Sequence, residues 1–358
     1  MINQISPEHF FTLAQQHPII DVRSPGEFAH GHVPNAHNIP LFSDSERAMV
    51  GTIYKQVGKQ DAIHTGMALV GPRLINYVTQ AQAIIPNNTA LIYCARGGMR
   101  SKSFVTLLAT YGINVYQLIG GFKAYKKYLR DHAQQPHCYV LIGGKTGSGK
   151  THILCELEKR GEQIIDLESL ANHKGSVFGG VGLMSQPTQE QFNLNCLAAL
   201  AQLNRSKIIW LEKESYKIGN LTVPQQIWQQ MINTPVVYLQ VSHQQRSKNL
   251  MRDYGSTDPE ILKKCVHQLT KKIGGQRTHQ LCQWIDEKNS TAVIDALLAY
   301  YDQLYTFSLE QKNATAVTHI TLEAEDHDAQ AAELLSKYQE HRLYAAPRAI
   351  TPQPWLAP

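Results

Sequence analysis

The chain has 358 residues, enough for two domains and a small third. Its composition, 43% hydrophobic and 18% charged, is that of a globular protein, which excludes a disordered chain, a collagen or a coiled coil as the main architecture. The net charge of +5 divides into +5 over residues 1–135, +5 over 136–290 and −5 over 291–358, a distribution that permits a nucleic-acid partner without demonstrating one.

In chain order, the N-terminal stretch MINQISPEHFFTLAQQHP lacks the basic region and apolar core of a secretory signal. No apolar run approaches the ~18 residues of a membrane span. The expectation is a cytoplasmic monomer with no membrane association. PIIDV (18–22), TALIYC (89–94) and NVYQLIGG (114–121) read as short buried strands. They are separated by a helix over 101–112 and followed by a basic amphipathic helix over 122–132. AQQPHC (133–138) has turn composition, and a boundary is placed there, giving segments 1–134 and 135–358. YVLIGGKTGSGKTHILCELEKRG (139–161) reads strand, glycine-rich loop, helix and glycine stop. EQIIDLE (162–168), SKIIWLE (206–212) and TPVVYLQV (234–241) are further strands, 242–305 is mostly helical, and VTHITLE (317–323) is a late edge strand. APRAITPQPWLAP closes an acidic, Pro-rich tail. Strands alternating with helices predict an α/β fold: two parallel-sheet domains, the second with a helical, basic extension.

The six cysteines form no C-x-x-C pair, so neither a zinc ribbon nor a disulfide framework is expected, and no structural metal. Cys94 stands apart. It ends an apolar strand and opens the loop Cys94, Ala95, Arg96, Gly97, Gly98, Met99, Arg100 before a helix. Ligands of open α/β sheets sit at the carboxyl ends of strands. The paired glycines let successive N–H groups form an anion-binding nest, and Arg96 and Arg100 add positive charge. Such surroundings favour a thiolate, so Cys94 is read as a reactive cysteine that solvent must reach. The spacing is C-x5-R, a cradle wide enough for a phosphate-sized oxyanion.

The second motif is Gly144, Lys145, Thr146, Gly147, Ser148, Gly149, Lys150, Thr151, which matches G-x-x-x-x-G-K-[ST] between a strand and a helix. Backbone N–H groups and the helix N-terminus would hold phosphate oxygens, Lys150 would bridge two phosphates, and Thr151 could reach a magnesium ion. The acid that should end a neighbouring strand is not a clean match. Asp166 and Glu212 are the nearest candidates, so a diphosphate compound other than ATP fits equally well. The third feature is Arg246, Lys248, Arg252, Lys263, Lys264, Lys271, Lys272 and Arg277 in the helical stretch. It is either an ordinary solvated surface or a contact surface for RNA phosphates. Tyr254, Trp284 and the aromatics of YYDQLY (300–305) could stack on bases, though such residues more often pack between helices.

IIDVRSPGEFAHGHVPNAHNIP (19–40), YCARGGMRS (93–101) and LIGGFKAYKKYL (118–129) together resemble the rhodanese family, in which Asp21, Arg23 and His32 would be structural. With DLESLANHKGSVFGG (166–180), WLEKESYKIGNLTVP (210–224) and KKIGGQRTHQL (271–281), the whole chain resembles the bacterial tRNA 2-selenouridine synthases. The resemblance implies a transferase with a rhodanese-like domain and a P-loop NTPase-like domain, acting at the wobble uridine of tRNA. 2-Thiouridine would be alkylated on sulfur by geranyl diphosphate at the P-loop. Cys94 would then serve as the carrier of selenium from selenophosphate, with Arg96 and Arg100 on the phosphate end. A selenophosphate-supplying enzyme would be a partner. Matching segments add His173, Lys174, Gly175, Ser176, Glu212, Glu214 and Ser215 as a second site, where Glu212 or Glu214 would act as a base or hold Mg2+. Two other readings stay open: a sulfurtransferase or rhodanese-related phosphatase fused to a kinase-like domain, and a non-enzymatic pair of phosphate-sensing modules.

Overall fold

A computed structural model of the chain describes residues 3–310 and 317–344; the Pro-rich end lies outside the described residues. The chain packs as two compact units. One comprises 1–136 with 186–202 and 221–227, the other 137–185, 203–220 and 228–358.

The first unit is built on β1 (Asn3–Ile5), β2 (Ile19–Asp21), β3 (Ala36–Asn38), β4 (Thr89–Tyr93) and β5 (Asn114–Leu118). All pair in parallel, in the order β1-β5-β4-β2-β3. Ala90 to Tyr93 are fully buried because helices cover both faces of a parallel sheet, which is why these strands read as continuous apolar runs. The expected helices are present as Met99–Thr110 and Gly121–Ala133. Three further helices, Asp44–Gln56, Lys59–Val70 and Leu74–Ile84, fill the stretch between β3 and β4. The Asp21 carboxylate accepts from Arg23 Nη2 and from Tyr93 Oη, both at 2.6 Å, while Arg23 also donates to Gly31 O at 2.7 Å. These two residues are therefore bracing, in line with their expected structural role. His32 stacks on Phe28 with ring centroids 3.8 Å apart.

The second unit is built on β6 (Cys138–Gly144), β7 (Gln163–Ile165) and β8 (Ile208–Glu212). Two-residue strands β9 (Lys217–Ile218) and β10 (Leu221–Thr222) follow in the chain, then β11 (Val236–Gln240) and β12 (Val317–Thr321). The five-stranded sheet of this unit runs β12-β11-β6-β8-β7, all parallel, with β12 at the edge as the sequence predicts. Val140, Ile142, Ile153, Leu157, Trp210 and Leu239 form its sheet-centred core. A separate apolar cluster of Phe178, Val266, Leu269, Leu281, Ile285, Val293 and Tyr300 joins the helices Pro259–Gln268, Gly275–Asp286 and Ser290–Glu310. All six cysteines are unpaired. None of the described helices is long and apolar enough to cross a membrane.

Candidate functional site

The first candidate site is the loop between β4 and the helix Met99–Thr110. Phe122 N donates to Cys94 O at 2.8 Å, Lys123 N to Ala95 O at 3.1 Å, and Gln117 Nε2 to Gly97 O at 3.1 Å. Three loop carbonyls are thus bonded, so none of them is left to repel an anion. The close approach demands glycine at 121, where φ is +58° and a Cβ would lie 2.2 Å from Cys94 O and 2.4 Å from Gly97 N. Cys94 Sγ lies 3.1 Å from Ser101 Oγ, which also accepts from the buried Gln117 amide at 2.8 Å. The thiol sits at the floor of the loop. Cys94 is only 3% exposed, whereas Arg96, Gly98 and Met99 are exposed. The sequence reading wanted a thiol in reach of solvent, and the structure grants it little.

Arg100 spends both terminal nitrogens on Glu27, with Nη1 to Oε2 at 2.6 Å and Nη2 to Oε1 at 3.3 Å. Burial alone would raise the Glu27 pKa, but Arg100 outweighs it and holds the carboxyl below the usual range. Glu27 was missed from sequence; its signal was the capping box Ser24–Glu27. A cavity of about 490 Å³ on this unit is lined by Glu27 together with Arg23, Arg47, Phe122 and Lys126.

The second site is the loop after β6. Gly149, at φ +78°, leads into the helix Lys150–Lys159. The loop is held from behind by the helix His243–Tyr254: Arg246 Nε donates to Thr146 O at 2.8 Å and Asn249 Nδ2 to Gly147 O at 2.9 Å. Lys145 pairs with Asp302 at 3.2 Å, and Lys150 Nζ reaches Gly144 O at 3.3 Å. With these carbonyls occupied and the helix N-terminus beneath, the loop is preformed for phosphate.

Three carboxylates meet beside it. Glu168, Glu212 and Glu214 each bring an oxygen within 4.8 Å of the others, close enough to surround one cation. Glu212 ends β8 opposite Ile142 of β6, the place of the strand-end acid of P-loop proteins; it is fully buried, with no hydrogen-bond partner of good geometry on either oxygen. Thr151 Oγ1 donates to Glu168 Oε2 at 3.2 Å. Burial, then mutual repulsion, pushes Glu168 and Glu212 to about 8 and Glu214 to about 7, with the charge of Lys150 opposing the rise in all three. Gly175 explains itself here. At φ +67°, a Cβ would lie 2.9 Å from both Glu168 Oε1 and Glu214 Oε2.

The phosphate loop, Lys150, Glu168, Glu214, Lys174 and Gly175 form one end of a cavity of about 710 Å³. The rest of its wall is largely apolar: Phe178, Leu250, Tyr254, Leu262, Ile285, Val293, Ile294, Leu297 and Leu298. An anionic head and a hydrocarbon body would both be matched by such a wall.

Comparison with known proteins agrees in both units. Residues 11–128 match the sequence model of the rhodanese-like domain, and residues 137–342 that of the tRNA 2-selenouridine synthase AAA domain. A tRNA 2-selenouridine synthase of Hydrogenovibrio crunogenus is 33% identical over 330 residues, covering 82% of this chain and 90% of the relative. The chain belongs to the tRNA 2-selenouridine synthase family. Proteins of that name from Shewanella denitrificans (32% identical, 87% of this chain, 94% of the relative) and Pseudomonas putida (34%, 82% and 90%) repeat the match. Membership of the tRNA 2-selenouridine synthase family makes the chain an enzyme of the transferase class.

Within this member of the tRNA 2-selenouridine synthase family, the sequence-read residues separate. Lys174, Gly175, Ser176, Glu214 and Ser215 line the same cavity as the P-loop, with Glu212 closely packed against their carboxylates. His173 is not among the lining residues. Its Nδ1 accepts from Gly175 N at 3.1 Å, which shapes the turn, and burial lowers its pKa. Asp166 caps the helix Leu167–Ala171 through Ser169 N at 2.8 Å, so the candidate acid two residues before Glu168 is a helix cap. Glu168 itself was overlooked, although it lies in the matched segment 166–180.

Arg246 is a correction to the RNA surface. It is 3% exposed and forks onto Asp302 at 2.6 and 2.9 Å, so it has no face left for a phosphate. Lys263 is paired with Glu260 and Asp286. Lys248 lies 3.8 Å from Glu325, and Arg252 3.4 Å from His327. Lys264, Lys271, Lys272 and Arg277 are exposed. Tyr254 lines the cavity, and Trp284, Tyr300 and Tyr301 pack in the helical core; the side chain of Tyr305 lies outside the described residues.

Proposed function

We propose that this chain works in the cytoplasm, as a monomer, on the wobble uridine of tRNA, converting 2-thiouridine to 2-selenouridine in two steps. In the segment 135–358, geranyl diphosphate alkylates the thiocarbonyl sulfur. In the segment 1–134, selenophosphate sits at Cys94 with Arg96 and, once released from Glu27, Arg100 as anion ligands; water takes the phosphoryl group as the P–Se bond breaks, the electron pair stays on selenium, which passes on at the selenide level, and a selenophosphate-producing enzyme is the supplier. Selenium then replaces the geranylthio group.

The observation that carries the first step is the cavity: a phosphate loop at one end and an apolar wall beyond it. Lys150 and the loop N–H groups offset the charge that grows on the departing diphosphate. Burying a hydrocarbon chain contributes about 0.8 kcal/mol per methylene, so the apolar wall supplies much of the affinity. Alkylation matters chemically because a thiocarbonyl sulfur leaves poorly, whereas an alkylthio group leaves as a thiol and makes C2 more electrophilic.

The test is to incubate purified protein with thiolated tRNA and geranyl diphosphate, then selenophosphate, and to digest the RNA for nucleoside mass analysis. S-geranyl-2-thiouridine should form first and 2-selenouridine second. Cys94→Ser should stop after the first product, and Lys150→Ala should form neither. Full 2-selenouridine from Cys94→Ser would remove the cysteine from the scheme.

A further inference from the structure

A nucleobase reaches a protein site with its phosphates attached, and each phosphate brings a negative charge. The unit that carries Cys94 therefore needs cations that its own acids have not already claimed. Several are claimed: Arg23 by Asp21, Arg73 by Glu46, Arg100 by Glu27 and Lys126 by Glu190. The helix Gly121–Ala133 differs. Among the described residues its ion pairs are Lys126–Glu190 and Lys127–Asp131, so Lys123 and Arg130 keep their charges unpaired.

We propose that Lys123, Lys127 and Arg130 form the surface on which the RNA backbone beside the wobble base lies while selenium is transferred at Cys94. The inference rests on the reading above that the selenium step takes place in this unit. Positions i, i+4 and i+7 share one face of a helix. All three side chains are exposed, whereas Phe122, Tyr125, Leu129 and Ala133 are buried on the other face. From Lys123 to Arg130 the helix rises about 10 Å, roughly the rise of three stacked nucleotides. The bond from Lys127 to Asp131, 2.7 Å long, joins side chains that are 73% and 54% exposed. Such a surface pair contributes little, and a phosphate can replace its acid.

The row of cations starts at the Cys94 loop. Lys123 N donates to Ala95 O at 3.1 Å, and Phe122 N to Cys94 O at 2.8 Å, so Lys123 leaves the helix beside the loop rim and the exposed Arg96. From Cys94 to Ser103 the chain holds Arg96, Arg100 and Lys102 and no acid. A strand lying along the helix is thus held with its end at the loop. That matters because Cys94, 3% exposed, is reached only by a group aimed at it. Phosphate contacts supply such aim: they fix register and orientation without reading sequence. RNA also fits this face better than a protein does. The exposed positions of the helix are Lys123, Lys127, Arg130 and Asp131, with none of the apolar side chains that the core of a protein interface buries.

The experiment uses the full chain with Lys123→Gln, Lys127→Gln and Arg130→Gln combined, and each substitution alone. Purified tRNA carrying S-geranyl-2-thiouridine is given with free selenophosphate, and 2-selenouridine is followed against tRNA and salt concentration. The triple variant should show a KM for this tRNA raised roughly 10- to 100-fold, with kcat at saturating tRNA retained. The slope of log kcat/KM against log salt should become shallower by roughly 2 to 3, about 0.7–0.9 for each lost contact. Each single variant should show about a third of that change in slope. Geranylation of thiolated tRNA should proceed at the wild-type rate. A wild-type KM and salt slope would overturn the surface; because selenophosphate is supplied free, a face that docks an acidic protein gives this result. A fall in kcat with KM kept, or an equal loss at both steps, would overturn it too. In each case the selenium reading stands. Wild-type protein that makes no 2-selenouridine from the geranylated tRNA would overturn that reading as well.

Discussion

Arg246 shows how a single side chain changes meaning between sequence and structure. In a run of basic residues it reads as one more phosphate ligand; in the fold it is buried, and its guanidinium joins the P-loop carbonyl of Thr146 to Asp302. Removing one partner of a buried pair leaves an uncompensated charge, at a cost of about 3–5 kcal/mol. Asp302 keeps about a quarter of its side chain exposed, so Asp302→Ala should cost near the lower end, about 3 kcal/mol, in urea unfolding. It should also weaken diphosphate binding, because the loop loses its brace. The pH dependence has a defined sign. Burial would raise the Asp302 pKa, but the bonds to Arg246 and Lys145 outweigh it and hold it below the usual carboxylate range. Its stabilisation is therefore complete above the ordinary carboxylate range and fades as pH falls through the lower, folded value. The mutant should lose that component of acid sensitivity.

At the scale of elements, what could be read in advance follows from burial. The strands of both sheets are covered on two faces, so β4, β5, β6, β8 and β11 stand out as apolar runs. The helices Asp44–Gln56 and Lys59–Val70 went unread because they bury little and leave Met49, Tyr54 and Met67 exposed, which blurs the apolar stripe that marks a helix. The two phosphate-type loops were legible because each is continuous in sequence. The carboxylate cluster was only half legible: Glu212 and Glu214 share a strand end, but Glu168 comes from another segment and joins them only through the sheet order β6-β8-β7. The apolar wall could not be read, since residues from separate helices face one cavity and each looks like core in its own helix. Leu297, half-buried on the helix Ser290–Glu310, belongs to that wall. Leu297→Trp should fill part of the hydrocarbon space. Each excluded methylene forfeits about 0.8 kcal/mol, so geranyl diphosphate should bind roughly 10- to 100-fold more weakly. Affinity for inorganic diphosphate should not change, and calorimetry with both ligands separates the two effects.

For the whole molecule, the question is how a polyanion is drawn to a protein whose net charge is only +5. Steering depends on how charge is arranged, and ion pairing removes several of the basic residues from play. Lys263 is neutralised by two acids, and Arg246 is buried. Lys264, Lys271, Lys272 and Arg277 remain exposed on three successive helices, Pro259–Gln268, Thr270–Ile273 and Gly275–Asp286. Two of these helices present Leu262 and Ile285 to the cavity, so one group of elements supplies both an apolar wall and an outer cationic face. If that face carries the tRNA backbone, Lys271→Glu with Lys272→Glu should weaken tRNA binding at low salt. The slope of log affinity against log salt should become shallower by roughly 1.5, about 0.7–0.9 for each phosphate that is no longer neutralised. Geranyl diphosphate affinity should be unaltered, because neither lysine lines the cavity. An unchanged salt slope would mean that these lysines are ordinary solvated side chains and that the RNA is held elsewhere.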